Sequence, residues 1–150
     1  MNIRNATLED VATIVDFQLK MALETEGLTL DFDVVTQGVT AVFCDSSKGG
    51  YFVAEEEGVV VASLMITHEW SDWRNGLVWW IQSVYVAPEF RRRGVFALMY
   101  GHIKREVEAS SSIRGLRLYV DKRNDSAQKV YKRLGMNGSH YDTYEWMRSF

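Results

Sequence analysis

"SVYVAPEFRRRGVFALMYGHIKREV", residues Ser83–Val107, is the stretch on which the fold turns. Its first residues complete a nearly unbroken apolar run that begins at Leu77, the pattern of a strand covered on both faces. Three consecutive arginines, Arg91, Arg92 and Arg93, then stop at Gly94. Beyond them Leu98, Met99, His102, Ile103 and Val107 recur on one helical stripe. A strand ending at Val86 and a helix opening near Gly94 leave unpaired backbone N–H groups at the junction, together with the positive end of the helix dipole. Gly94 permits backbone angles that a side chain forbids and lets an anion approach the main chain. A basic triplet is ordinarily a solvated charge run. Set between a strand and a glycine-initiated helix, its guanidinium groups can instead pair with phosphate oxygens, and the junction reads as a phosphate or diphosphate site. Neither a P-loop nor GxGxxG is present, which disfavours nucleotide triphosphate chemistry.

Working outward, "MNIRNA" alternates as a short strand, and Thr7 with Asp10 three positions on marks a helix start. Leu8, Val11, Ala12, Val15, Leu19 and Ala22 recur at helical spacing up to a stop near Gly27. A second helix is predicted over 31–44. "GGYFVAEEEGVVVASLMITHEW" reads as two strands around a turn at Glu57 and Gly58, and "RNG" turns the chain into "LVWWIQSVYV". After the Gly94 helix, "LRLYV" (Leu116–Val120) is another strand. "NDSAQKVYKRLG" is a short helix with Ala127, Val130, Tyr131 and Leu134 on one face and Gly135 as its stop. "YDTYEWM" closes the chain as an expected strand. The predicted order is β-α-α-β-β-β-α-β-α-β: an α/β chain of mixed α+β type, with a mostly antiparallel mixed sheet of six to seven strands flanked by about four helices. No repeat, low-complexity segment or linker interrupts residues 1–150, so a single domain is expected.

Composition bounds the function. The chain has 150 residues, 47% of them hydrophobic, and a net charge of −3, a balance that argues against a broad nucleic-acid-binding face. One cysteine, Cys44, provides neither an intrachain disulfide nor a zinc pattern, so no metal is expected. The start lacks the apolar core of a secretory signal, and no run approaches the roughly 18 apolar residues of a membrane span. A cytoplasmic protein without a membrane partner is expected.

With the second stretch "LRLYVDKRNDSAQKVYKRLGM" beside the first, residues Val84–Met136 resemble the two central motifs of the GNAT family, the Gcn5-related N-acetyltransferases. The family's first motif is Gln or Arg, two residues, Gly, one residue, then Gly or Ala. Arg91, Arg92, Arg93, Gly94 and Val95 match it, while Phe96 takes the last small position and Ala97 follows. Asn124, Ala127, Tyr131, Leu134 and Gly135 fall at the family's spacing in the second.

The resemblance implies acetyl-CoA or another acyl-CoA as co-substrate. Its diphosphate would be held by main-chain N–H groups of Arg92 to Ala97, and its pantetheine arm paired with the backbone of Val84, Tyr85 and Val86. It implies an amine acceptor acetylated by direct transfer in a ternary complex. Tyr131 matches the tyrosine that protonates the leaving thiolate, and Asn124 the asparagine that contacts the pantetheine arm or, alternatively, caps its helix. Many members carry a Glu on the strand before the arginine motif; this chain offers Gln82 and Ser83, neither a base at neutral pH. Glu24, Glu26, Glu69 and Asp72 are the acidic candidates, each otherwise a solvated charge. His68 is a further titratable candidate that is otherwise structural. Trp70 and Trp73 flank a turn and suit an acceptor pocket or a subunit contact. The aromatic tail "HYDTYEWMRSF" suits a homodimer contact.

Two other functions stay open at this stage: a non-catalytic acyl-CoA sensor on the same scaffold, and a binding protein that uses the arginines for a phosphorylated ligand or nucleic acid. Net acidity disfavours the last.

Overall fold

The computed structural model describes residues 1–149, in two compact units that divide after Leu118. The first unit runs β1 (Asn2–Asn5), α1 (Val11–Glu26), α2 (Phe32–Cys44), β2 (Gly50–Glu56), β3 (Val59–Ser71), β4 (Gly76–Val86), α3 (Val95–Ala109) and β5 (Ile113–Arg117). The second holds α4 (Asp125–Arg133). The strands form one sheet in the order β1-β2-β3-β4-β5, antiparallel through β4, with β5 parallel to β4 across the α3 connection. This is the mixed, mostly antiparallel sheet expected, with five strands among the described residues in place of six to seven.

Local chemistry sets the element ends. Gly27 takes φ 63° after α1, and its N–H and that of Leu28 return to Leu23 and Ala22, satisfying the last carbonyls of the helix. Glu57 and Gly58 both have positive φ (52° and 79°), the hairpin turn whose twist matches that of its flanking strands.

The alternation of side chains along β2 and β3 gives the sheet two distinct faces. Ile14 and Val15 of α1, Val39 and Val42 of α2, and Tyr51 and Val53 of β2 form one core layer, with Met65 of β3 at its margin. On the opposite face Phe52 meets His102 of α3 edge-on, and Leu64, Ile66 and Ile81 are buried, as are Met99 and Ile103 on the facing helix.

A polar clamp joins β1 to the rest. The Arg4 guanidinium reaches Asp10 at 2.8 and 3.0 Å and Glu55 at 2.7 Å, while Asp10 also accepts the Thr7 N–H at 2.7 Å. Hydrogen bonding from Arg4 outweighs burial and holds the Asp10 carboxyl below its usual range. A lowered folded pKa means stability that is present above the unfolded value, about 4, and lost as pH falls through the depressed one. Asp10→Asn is therefore expected to cost about 2 kcal/mol at pH 7, a penalty that shrinks as pH drops below about 4. Urea unfolding of both proteins across that range checks it.

The strand expected over Leu116–Val120 lies earlier, at Ile113–Arg117, and one expected element is absent. Residues 141–147 form no strand: Tyr144 and Trp146 are 94% and 87% exposed, and no ladder among the described residues includes them. Alternation makes a segment competent to pair, but a strand exists only where an edge completes its hydrogen bonds. The last residue of that tail, Phe150, lies outside the described residues.

Candidate active site

The strand-to-helix junction turns on two residues with left-handed backbone. Gly94 caps α3 with φ 73°, and Arg92 also takes a left-handed conformation, φ 63°. Closely spaced left-handed residues turn successive N–H groups inward, an arrangement that favours anions. Leu98 is the first residue to bond back, its N–H reaching Gly94 O at 3.1 Å, so the N–H groups of Val95, Phe96 and Ala97 precede the helical ladder. A Cβ built on Gly94 meets nothing within 4 Å, so the space over the glycine is open to a bulky group.

The three arginines differ. Arg91 turns away from the cradle: its Nε donates to Val86 O at 2.9 Å, its Nη2 pairs with Glu24 at 2.7 Å, and its guanidinium stands over the Tyr85 ring. Arg93 pairs with Glu56 at 3.2 Å and covers the Phe90 ring. Arg92 is exposed and pairs with no carboxylate among the described residues. The Phe96 ring packs beside that of Tyr100, one helical turn on, with centroids 6.2 Å apart. It lies along α3, where the open space above Gly94 is unaffected.

Just upstream, β4 departs from regular pairing. Met65 faces Gln82 and Ser63 faces Tyr85, so Ser83 and Val84 stand against Leu64 alone; Ser83 takes φ 53°. This is a β-bulge, which withdraws main-chain groups from the ladder and re-aims them. On its other side β4 pairs with β5 only as far as Trp80 with Arg117. Among the described residues that edge has no strand partner from the bulge to Val86, and an extended ligand can add to it by main-chain hydrogen bonds.

Around this edge the candidates separate. Glu24, near the end of α1, accepts from the Tyr85 hydroxyl at 3.2 Å as well as from Arg91. Arg91 holds its carboxyl below the ordinary range, which makes it a weak proton acceptor while the pair persists. Gln82 donates from Nε2 to Thr67 Oγ1 across the ladder at 2.9 Å. Glu26 is exposed on the last turn of α1. Trp70 faces Leu77 on the α3 side of the sheet, opposite Gln82, and Trp73 is 90% exposed on the β3–β4 turn, so the fold does not bring these two to Gln82. His68 lies on the same face as Trp70, against the Trp79 ring.

In the second unit Asn124 caps α4, its Oδ1 accepting the Ala127 N–H at 3.0 Å. Burial pushes the Tyr131 phenol up, so it keeps its proton at neutral pH. Sequence reasoning missed the bulge, because serine carries no signal for positive φ. It also passed over Thr67 and Arg117, whose place beside Gln82 and Glu69 is set by strand register.

Among the described residues no helix is long and apolar enough to cross a membrane, and no group of His, Cys, Asp or Glu is placed to hold a metal ion. A search of curated proteins returned no match. Among solved structures, a possible acetyltransferase from Clostridium difficile 630 is 45% identical over 99% of this chain and 98% of its own, with a TM-score of 0.91. Two more distant structures share the fold. A predicted acetyltransferase from Clostridium acetobutylicum, solved with acetyl-CoA, is 22% identical over 99% of this chain and 95% of its own, with a TM-score of 0.72. AAC(6')-Iy in complex with a CoA-containing bisubstrate analog is 17% identical over 99% and 98%, with a TM-score of 0.75. The family model for the acetyltransferase (GNAT) family matches residues 20–136, which include the bulged strand, the cradle and α4, and the chain belongs to that family.

Proposed function

We propose that the protein transfers an acetyl group from acetyl-CoA to a primary amine of a small molecule or peptide, by direct attack in a ternary complex. The observation that carries this is the continuity of β4 and α3: a bulge, an open strand edge and a helix-start cradle follow one another within residues 83–97. Bound acetyl-CoA supplies the acyl group as a thioester. The main-chain N–H groups of Arg92 to Ala97 hold its diphosphate, with Arg92 as the cation at hand. The backbone of Val84, Tyr85 and Val86 takes the pantetheine arm along the open edge, with Val86 O engaged by Arg91 until the arm docks. A bulge N–H polarises the carbonyl under attack.

Gln82, beside the bulge, orients the acceptor amine or a water that relays its proton. Glu24 can accept that proton only once its pair with Arg91 opens. Tyr131 donates to the leaving sulfur, a role supported by its family position and by a phenol that stays protonated. Asn124 serves this reading through α4, whose first turn it caps.

Gln82 in place of a carboxylate favours one second reading, a non-catalytic acyl-CoA-binding module. Acetyl transfer from acetyl-CoA to a panel of primary amines decides between the two. Wild-type protein is expected to acetylate some of them above the solution rate, and Tyr131→Phe to lower kcat by about a hundredfold with CoA affinity nearly intact. An unchanged rate removes Tyr131 from the acid role. No transfer to any amine leaves the sensor.

A further inference from the structure

The sheet face that carries Gln82 changes character at Met65. Up to that residue it is covered by the core layer of α1 and α2. Beyond it the same face of β3 presents Thr67 and Glu69, and register sets Trp80 of β4 opposite Thr67 and Arg117 of β5 beside Trp80. Glu69 and Arg117 are half-buried, with 38% and 30% of their side chains exposed, and pair at 2.5 Å. Arg117 binds Glu69 Oε2, and among the described residues no other side-chain hydrogen bond reaches the carboxylate, so Oε1 keeps its lone pairs. Gln82 is engaged in the same way at Nε2 only, leaving Oε1 as an acceptor.

Two acceptor oxygens thus lie on one face, with an indole between them. An ammonium has three donors and no acceptor, and is drawn both to carboxylates and to aromatic faces. The Gln82 amide sits at the level of Thr67, and Glu69 is two residues further along β3, roughly 7 Å at the rise of an antiparallel strand. Pairing with Arg117 fixes the Glu69 carboxylate in place while its second oxygen remains available.

We infer that this face is the acceptor subsite and that it selects a diamine: one amino group at Gln82, beside the bulge, and a second cationic nitrogen on Glu69, with the connecting methylenes spanning the interval along β3. A chain of roughly four to six methylenes covers the distance. The inference rests on the acetyl-transfer reading and adds to it the class of acceptor.

Steady-state acetylation of linear diamines with three to eight methylenes, beside monoamines of matched length, tests it without any variant. kcat/KM is expected to peak near five methylenes and there to exceed that of the matched monoamine by about tenfold, the worth of one hydrogen bond to a charged group. In Glu69→Gln the diamine-to-monoamine ratio, read within one protein so that general loss of activity cancels, is expected to fall to near one. A flat length dependence, a ratio unchanged in Glu69→Gln, or a preference for ω-amino carboxylates overturns the inference while leaving acetyl transfer standing. No acetylation of any amine removes the transfer reading, and the diamine subsite with it.

Discussion

Gly94→Val is expected to reduce CoA affinity by at least about a hundredfold while the protein stays folded. The glycine holds φ 73°, a conformation in which a β-branched residue is a genuine outlier, and valine there costs on the order of 1–3 kcal/mol of strain. The chain can relieve that strain only by rotating the peptide that precedes α3, which turns the first-turn N–H groups away from a common point. If the turn holds instead, the new side chain fills the open space above the glycine, where a Cβ now meets nothing within 4 Å. Both outcomes remove the cradle. Titration calorimetry of CoA into each protein measures the loss, and circular dichroism checks the fold. Wild-type affinity in the variant would show that the N–H groups of the α3 first turn do not hold the diphosphate. Absence of binding by the wild-type protein at millimolar CoA removes the donor site itself.

Gly49→Ala is expected to be the most destabilising small substitution in the first unit, by about 3 kcal/mol, lowering Tm by roughly 6–12 °C. Gly49 has φ 131° and ψ −157°, a region essentially reserved for glycine. An added Cβ would also collide with the Ile66 carbonyl oxygen and lie 3.3 Å from the Met65 terminal methyl. Ile66 is buried in a strand paired on both sides, so its backbone cannot yield without disturbing two ladders. Gly38→Ala is the control: that glycine lies inside α2 with open space around its Cβ position, and alanine there is expected to stabilise by about 0.5–1 kcal/mol. Thermal unfolding of both variants gives the comparison, and equal Tm values would refute the collision.

Much of the proposed donor site was legible because it is built from neighbours in sequence. The apolar run to Val86, the glycine at 94 and the helical stripe after it require only local backbone preferences, and they formed where those preferences put them. The stops at Gly27 and Gly135 are of the same kind, each with positive φ. The proposed acceptor face was not legible. Glu69 was one of several carboxylates with nothing to distinguish it, and Trp70 looked a better acceptor contact because aromatic residues near a turn draw attention. Pairing of β3 with β4 places Trp70 on the α3 face and Glu69 on the face of Gln82, and a one-residue change of register would reverse this.

The sequence by itself determined the order of elements up to α4, the junction at Gly94 and the membership of its motifs in one family, since each depends on hydrophobic period, turn chemistry and residues close along the chain. Tertiary structure alone decided three things: that Ser83 bulges, that Arg91 serves Glu24 and Val86 while Arg92 does not, and that Glu69 meets Arg117, 48 residues away. The tail at 141–147 makes the same point in reverse, since it has a strand's alternation but no ladder partner among the described residues. Register, bulges and long-range ion pairs depend on which surfaces the packed sheet brings together, and no local preference of the chain encodes that choice.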